Sequence, residues 1–177
     1  IINRRANEQW NKKQVRFGWF DFVDDLEVSQ ALLNAVEAWG RTKGMTECVG
    51  PLGFTDMDRE GLLIEGFHHK STMYINYNYP YYKNHMEAMS SYEKDNDWLE
   101  YRIKVPEETP AKFARTAEMI EKRYNLHVHK FTFRELVKGG MGREVFHIVN
   151  ETYKDLYDFQ QLKDSQIDKY VNDYIKK

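Results

Sequence analysis

The stretch Val15–Gly53 constrains this chain most, because its hydrophobic period changes twice within one short span. Val15-Arg16-Phe17-Gly18-Trp19-Phe20-Asp21-Phe22 alternates and is rich in aromatics, which predicts a strand. A helix should follow at once. Asp24 is a natural N-cap with Glu27 as its capping-box partner, and Val28, Leu32, Ala35, Val36 and Trp39 recur on one helical face. Gly44 closes that helix. Thr46 to Val49 then reads as a short strand entering the turn-prone Gly50-Pro51-Leu52-Gly53. The result is a strand-helix-strand unit whose apolar helix face must cover a sheet.

On either side the periodicities are shorter. Ile1 to Gln14 holds the end of a strand and then a polar, basic connection, with a contact to an anionic ligand as the sharper reading of its cations. Phe54 to Glu60 is turn-like, and Gly61 to Phe67 is either a strand or an irregular buried segment. His68-His69-Lys70 makes a loop. Ser71 to Tyr77 predicts a strand, after which Asn78-Tyr79-Pro80-Tyr81-Tyr82 leads into a helix carrying Tyr82, Met86 and Met89 on one face. In Trp98 to Val105 the residues Leu99, Tyr101, Ile103 and Val105 alternate with polar ones, as in a half-buried strand.

Pro106-Glu107-Glu108-Thr109-Pro110 breaks both periods and marks a boundary. Beyond it, Thr109 is expected to cap a helix that opens on Pro110 and carries Phe113, Ala117, Ile120 and Tyr124. Leu126 to Phe133 reads as a strand and Lys138 to Gly142 as a glycine-rich connection. A helix of about four or five turns should carry Val145, Ile148, Val149, Thr152, Leu156 and Phe159. A last helix, from Asp164-Ser165, shows Ile167, Val171, Tyr174 and Ile175 on one side.

The net charge of -2 lacks the surplus of cations that nucleic acid or an anionic membrane would demand, so neither is an expected partner. No apolar run reaches the length of a membrane helix and no signal-peptide pattern is present. The single cysteine, Cys48, excludes an internal disulfide, sits in an apolar strand as a small hydrophobe and fits a reducing, cytoplasmic compartment. Opening on Ile1-Ile2-Asn3 without methionine, the chain reads as a fragment or a processed piece.

Candidate chemistry is sparse. Gly139-Gly140-Met141-Gly142 precedes a helix as a phosphate-binding loop would, yet it lacks a P-loop lysine and reads better as a flexible turn. His127 and His129 share a strand face at a metal-compatible spacing, but two further ligands are not evident and no metal is expected. His68-His69 carries still less. Asn76 to Tyr82 is the least ordinary composition, nearly all aromatic or amide, at a strand-to-helix junction where a tyrosine can stack on a ligand or donate a proton. Half-buried packing is its plainer reading.

Several separated motifs together resemble bacterial proteins related to the GNAT acyltransferases. These are Phe17 to Phe22, Ala38-Trp39-Gly40-Arg41-Thr42-Lys43-Gly44-Met45, Gly50-Pro51-Leu52-Gly53-Phe54, Glu60 to Phe67 and Tyr77 to Tyr82. The resemblance spans residues 1–105 and implies an α/β (α+β) architecture, a mixed, largely antiparallel sheet flanked by helices. Residues 1–105 would be the C-terminal part of one GNAT-like domain, and 106–177 a helix-rich segment opening a second half.

The resemblance further implies that acyl-CoA lies against the strand Val15 to Phe22, with Phe20, Phe22, Val23 and Leu26 on the cofactor. Asn78 and Tyr79 would bind an amine substrate, and Tyr81 or Tyr82 would donate a proton to the leaving thiolate. One departure stands out. GNAT enzymes place a glycine-bearing loop between this strand and helix so that bare amides hold the pyrophosphate. Here Val23-Asp24-Asp25-Leu26 has no glycine and two carboxylates. Two readings follow: an N-acyltransferase using acetyl-CoA or a longer acyl-CoA, or a GNAT-like module that has lost the pyrophosphate site and binds a small molecule or partner. An exposed sheet edge would favour a homodimer.

Overall fold

The computed structural model describes residues 1–55, 57–73 and 75–175. Asp56, Tyr74, Lys176 and Lys177 lie outside the described residues, as does the side chain of Tyr174; they fall in the expected turn 54–60, the expected strand 71–77 and the end of the expected last helix. In chain order the elements are α1 (Arg4–Gln9), β1 (Gln14–Arg16), α2 (Leu26–Thr42), β2 (Glu47–Val49), α3 (Tyr81–Ala88), α4 (Ala111–Tyr124), α5 (Phe133–Val137), α6 (Met141–Tyr153), α7 (Asp164–Tyr170) and a π-helical turn, Val171–Ile175.

The expected mixed, largely antiparallel sheet is not formed. Among the described residues the sheet consists of β1 and β2 alone, parallel, with Val15 opposite Cys48 and Arg16 opposite Val49. The fold is mostly helical. The alternation that predicts a strand to Phe22 stops at Arg16 because Trp19 adopts a left-handed backbone (φ 53) that turns the chain. Gly18 is needed just before it: a Cβ there would lie 2.8 Å from the Leu52 carbonyl oxygen. Among the described residues, the segments 99–105 and 126–132 carry strand periodicity but join no ladder, and the described part of 71–77 is likewise unladdered. Instead, Asn78 clips the chain to Leu63, its Oδ1 accepting from the Leu63 N–H at 2.7 Å and its Nδ2 donating to the Leu63 carbonyl at 3.0 Å. Side-chain amides there do the pairing that a ladder would otherwise do.

α2 is rotated from its expected orientation. Its buried face is Ser29, Leu33 and Gly40, with Val36 partly buried, whereas Val28, Leu32 and Trp39 are exposed. The small residues decide this, because they let α2 approach β1 closely: a Cβ on Gly40 would fall 2.7 Å from Val15 Cγ1. The N-cap is Asp25, not Asp24; its carboxylate accepts from the Glu27 N–H at 2.9 Å. At the other end Gly44 (φ 77) donates to the Arg41 carbonyl and Met45 to the Gly40 carbonyl, which is a Schellman closure.

Two compact units are present. The first comprises 1–94 and 145–167. Its centre is Phe17, Leu33 and Met89, with Phe20, Val36, Cys48, Met86 and Tyr92 packed around them. The expected N-terminal loop is in fact α1, capped by the Asn3 side chain accepting from the Ala6 N–H. The second unit comprises 95–144 and 168–177. In it α4 begins after Pro110 without the expected cap from Thr109 and buries no residue, while α5 carries a complete capping box between Thr132 and Glu135. Those bonds to Thr132 hold the Glu135 carboxyl below its ordinary range. α6 starts earlier than expected and ends at Tyr153, so Leu156 and Phe159 lie beyond it.

Candidate functional site

Within the first unit, the loop after β1 folds onto the first turns of α3. Pro80 sets the helical backbone at the start of α3, where its missing N–H costs nothing. Tyr81, Tyr82 and His85 then share one helical side by their spacing. Phe22 inserts among all three, with ring centroids 4.2 Å from Tyr82, 5.2 Å from His85 and 5.8 Å from Tyr81. Phe20 stacks behind it at 4.5 Å and meets Phe17 edge-on at 5.2 Å. Such pairs add stability beyond the area they bury.

Hydrogen bonds fix the loop backbone at Phe22 from both sides. Its N–H donates to the Tyr82 hydroxyl at 3.2 Å, and its carbonyl accepts from the Tyr81 hydroxyl at 2.5 Å. The Tyr82 hydroxyl donates in turn to the Asp21 carboxylate. Burial first, and then that carboxylate, push the Tyr82 phenol up to about 12. Both phenol protons are therefore committed to the loop, and Tyr82 is buried. For either tyrosine, a role as proton donor to a thiolate would require its own bond to the loop to break.

A second set of contacts extends the clasp. His85 Nε2 lies 2.9 Å from Asp24 Oδ1 and His85 Nδ1 lies 2.9 Å from Ser29 Oγ. The constellation has the composition of a hydrolase triad, but Ser29 is fully buried, and its hydroxyl is also 3.0 Å from the Leu26 carbonyl. It anchors; a substrate could not reach it. Neither Ser29 nor His85 is marked by the sequence reading. Their signal was the helical spacing of Ser29, Leu33, Val36 and Gly40, and of His85 after Tyr81 and Tyr82.

The residues assigned to acyl-CoA separate. Phe20 and Phe22 point into the aromatic cluster, while Val23 and Leu26 are exposed. Asn78 is buried with its amide spent on Leu63, and Tyr79 stands in solvent with its ring parallel to Tyr81 at 5.7 Å. The amide a diphosphate would use at the start of α2 is occupied by Asp25. Elsewhere, His129 sits 3.3 Å from Glu135 on the surface, and among the described residues no three His, Cys, Asp or Glu side chains gather as a metal site would need. Among the same residues no helix is long and apolar enough to cross a membrane.

Over 98 residues the chain is 34% identical to Protein YghO of Escherichia coli (strain K12), a match covering 55% of this chain and 25% of that protein. The chain thus spans about a quarter of the length of the curated relative it matches. No protein-family model matches the chain. No solved structure matches it significantly.

Proposed function

We propose that the Tyr-rich junction binds a cationic amine ligand and that no acyl transfer accompanies binding. The observation that carries this reading is the carboxylate-bearing N-terminus of α2. Asp25 takes up the Glu27 amide, Asp24 engages His85, and Asp21 holds Tyr82. Among the described residues none of these carboxylates, nor Glu27, forms an ion pair with a lysine or arginine. Such a field repels a diphosphate and attracts an ammonium group. The stacked faces of Tyr79 and Tyr81, joined to the same loop through Phe22, add a cation-π surface.

Calorimetric titration tests this against the acyltransferase assignment. Butylamine and spermidine should bind the unmodified protein in a salt-sensitive way, bind more weakly to Tyr79→Ala, and fail with Asp24→Gly/Asp25→Gly. Acetyl-CoA and longer acyl-CoAs should not bind the unmodified protein. Saturable acyl-CoA binding there would overturn the proposal and make an amine-substrate screen the next step.

A further inference from the structure

In the second unit the segment 99–105 has a strand's sequence and none of a strand's contacts. Leu99, Tyr101, Ile103 and Val105 are 74%, 77%, 80% and 81% exposed. From 92 to 106 the chain makes no helix, turn or ladder. Among the described residues no backbone hydrogen bond involves 99–105. An apolar, unpaired edge of this kind is a template for another strand.

The side chains select the partner and its register. In an antiparallel pair of identical segments centred on Tyr101, Glu100 of each copy faces Arg102 of the other, while Leu99 faces Ile103 on the opposite, apolar side. Tyr101 then faces its own counterpart. Every directly opposed charged pair is attractive in this register. A shift of the centre to Arg102 opposes two arginines, and a parallel in-register pair opposes Glu100, Arg102 and Lys104 each to itself, contacts that destabilise a sheet. Only two-fold antiparallel pairing uses the same patch on both copies without such a contact.

A bare two-stranded ribbon is marginal in water and needs a cover on its apolar face. α4 follows each segment after the short link 106–110, and its stripe of Phe113, Ile120 and Tyr124 is exposed at 66%, 40% and 61%. We propose that this chain forms a homodimer in which the segments 99–105 of two copies pair antiparallel about Tyr101, with the α4 stripes covering the apolar side of the ribbon. This rests on the second unit alone and is independent of ligand binding at the Tyr-rich junction.

Sedimentation equilibrium over a micromolar concentration series gives the oligomeric state. A dimer is expected, and Ile103→Lys should weaken it at least about tenfold with an unchanged circular dichroism spectrum, since the position is exposed in the single chain. Register is read by oxidation in a Cys48→Ala background: Tyr101→Cys should form a disulfide-linked dimer, and Arg102→Cys should do so far more slowly. A protein that stays monomeric, a dimer indifferent to Ile103→Lys, or faster crosslinking at Arg102 than at Tyr101 would each overturn the proposal.

Discussion

His85 Nδ1 lies 2.9 Å from Ser29 Oγ, and both residues are buried. The hydroxyl has one proton and two acceptors within reach, the ring nitrogen and the Leu26 carbonyl. On the far side of the ring, Nε2 faces the Asp24 carboxylate and must carry a proton to bond to it. With a neutral ring, Ser29 therefore donates to Nδ1. With a charged ring, Nδ1 donates to Ser29 and the hydroxyl turns to Leu26. The clasp between α2 and α3 persists in either state, and only a hydroxyl rotor moves.

This geometry ranks two substitutions. Ser29→Ala leaves Nδ1 buried without a partner, a loss of about 1–3 kcal/mol. Asp24→Asn removes a charge from a side chain that is 67% exposed, where ion pairs are worth about 0–1 kcal/mol. Urea unfolding should show Ser29→Ala to be the more damaging of the two, and the reverse order would mean that Asp24, rather than the buried end, secures the ring.

Tyr82 makes stability depend on pH at the alkaline end. Its folded value is raised from 10.0 to about 12, so the neutral phenol is favoured by folding. The contribution is fully present below pH 10 and is lost as pH rises from 10 through about 12. Thermal unfolding between pH 8 and 12 should therefore show a falling Tm over that window, and Tyr82→Phe should make the fall shallower. A residual slope is expected, because burial also pushes the Tyr92 phenol up. An unchanged slope in Tyr82→Phe would remove Tyr82 as its source.

These two clusters show what could be read from the residues alone. The extent of α2 and its Gly44 closure and the start of α3 after Pro80 follow from local chemistry: a glycine able to take positive φ and a proline suited to a first turn. The packing of Phe20 and Phe22 against Tyr81 and Tyr82 joins residues some sixty positions apart and does not. Nor does the facing of α2. Helical period identifies a stripe, but Val28, Leu32 and Trp39 lie beside a competing stripe of small residues whose worth appears only when Val15 arrives against Gly40. Strand content failed for a related reason. Alternation in 98–105 and 126–133 reports a side-chain pattern, whereas a strand also requires a neighbouring chain to accept its backbone bonds.

Gly40 offers a sharp test of that packing. Alanine normally gains up to about 1 kcal/mol over glycine inside a helix. Here the added Cβ would meet Val15 Cγ1 at 2.7 Å and Val15 Cβ at 3.1 Å, and overpacking of this kind costs about 1–3 kcal/mol. The clash should win, so Gly40→Ala should lower stability by about 1–2 kcal/mol in urea unfolding, and Gly40→Ala with Val15→Ala should recover part of the loss. A more stable Gly40→Ala would mean that α2 can slide away from β1 without cost.

The buried pair Arg16 and Asp158 supplies the last test. Arg16 Nη2 lies 2.6 Å from Asp158 Oδ2, with side chains only 3% and 9% exposed, and it ties β1 to the turn that follows α6. Arg16 Nε, Arg16 Nη2 and Asp158 Oδ1 have no hydrogen-bond partner, so the two charges meet without the paired hydrogen bonds of a guanidinium–carboxylate fork. Desolvating two charges is then incompletely offset. Removing one partner should be far worse than removing both. Arg16→Met strands a buried carboxylate and should cost about 3–5 kcal/mol. Arg16→Met with Asp158→Asn leaves no charge behind, and asparagine tolerates the positive φ of 53 that Asp158 adopts. The double variant should recover most of the loss, with a coupling energy of about 2 kcal/mol or more in a double-mutant cycle. Additive effects of the two substitutions would show instead that Arg16 acts through the packing of its aliphatic stem and that its charge is incidental.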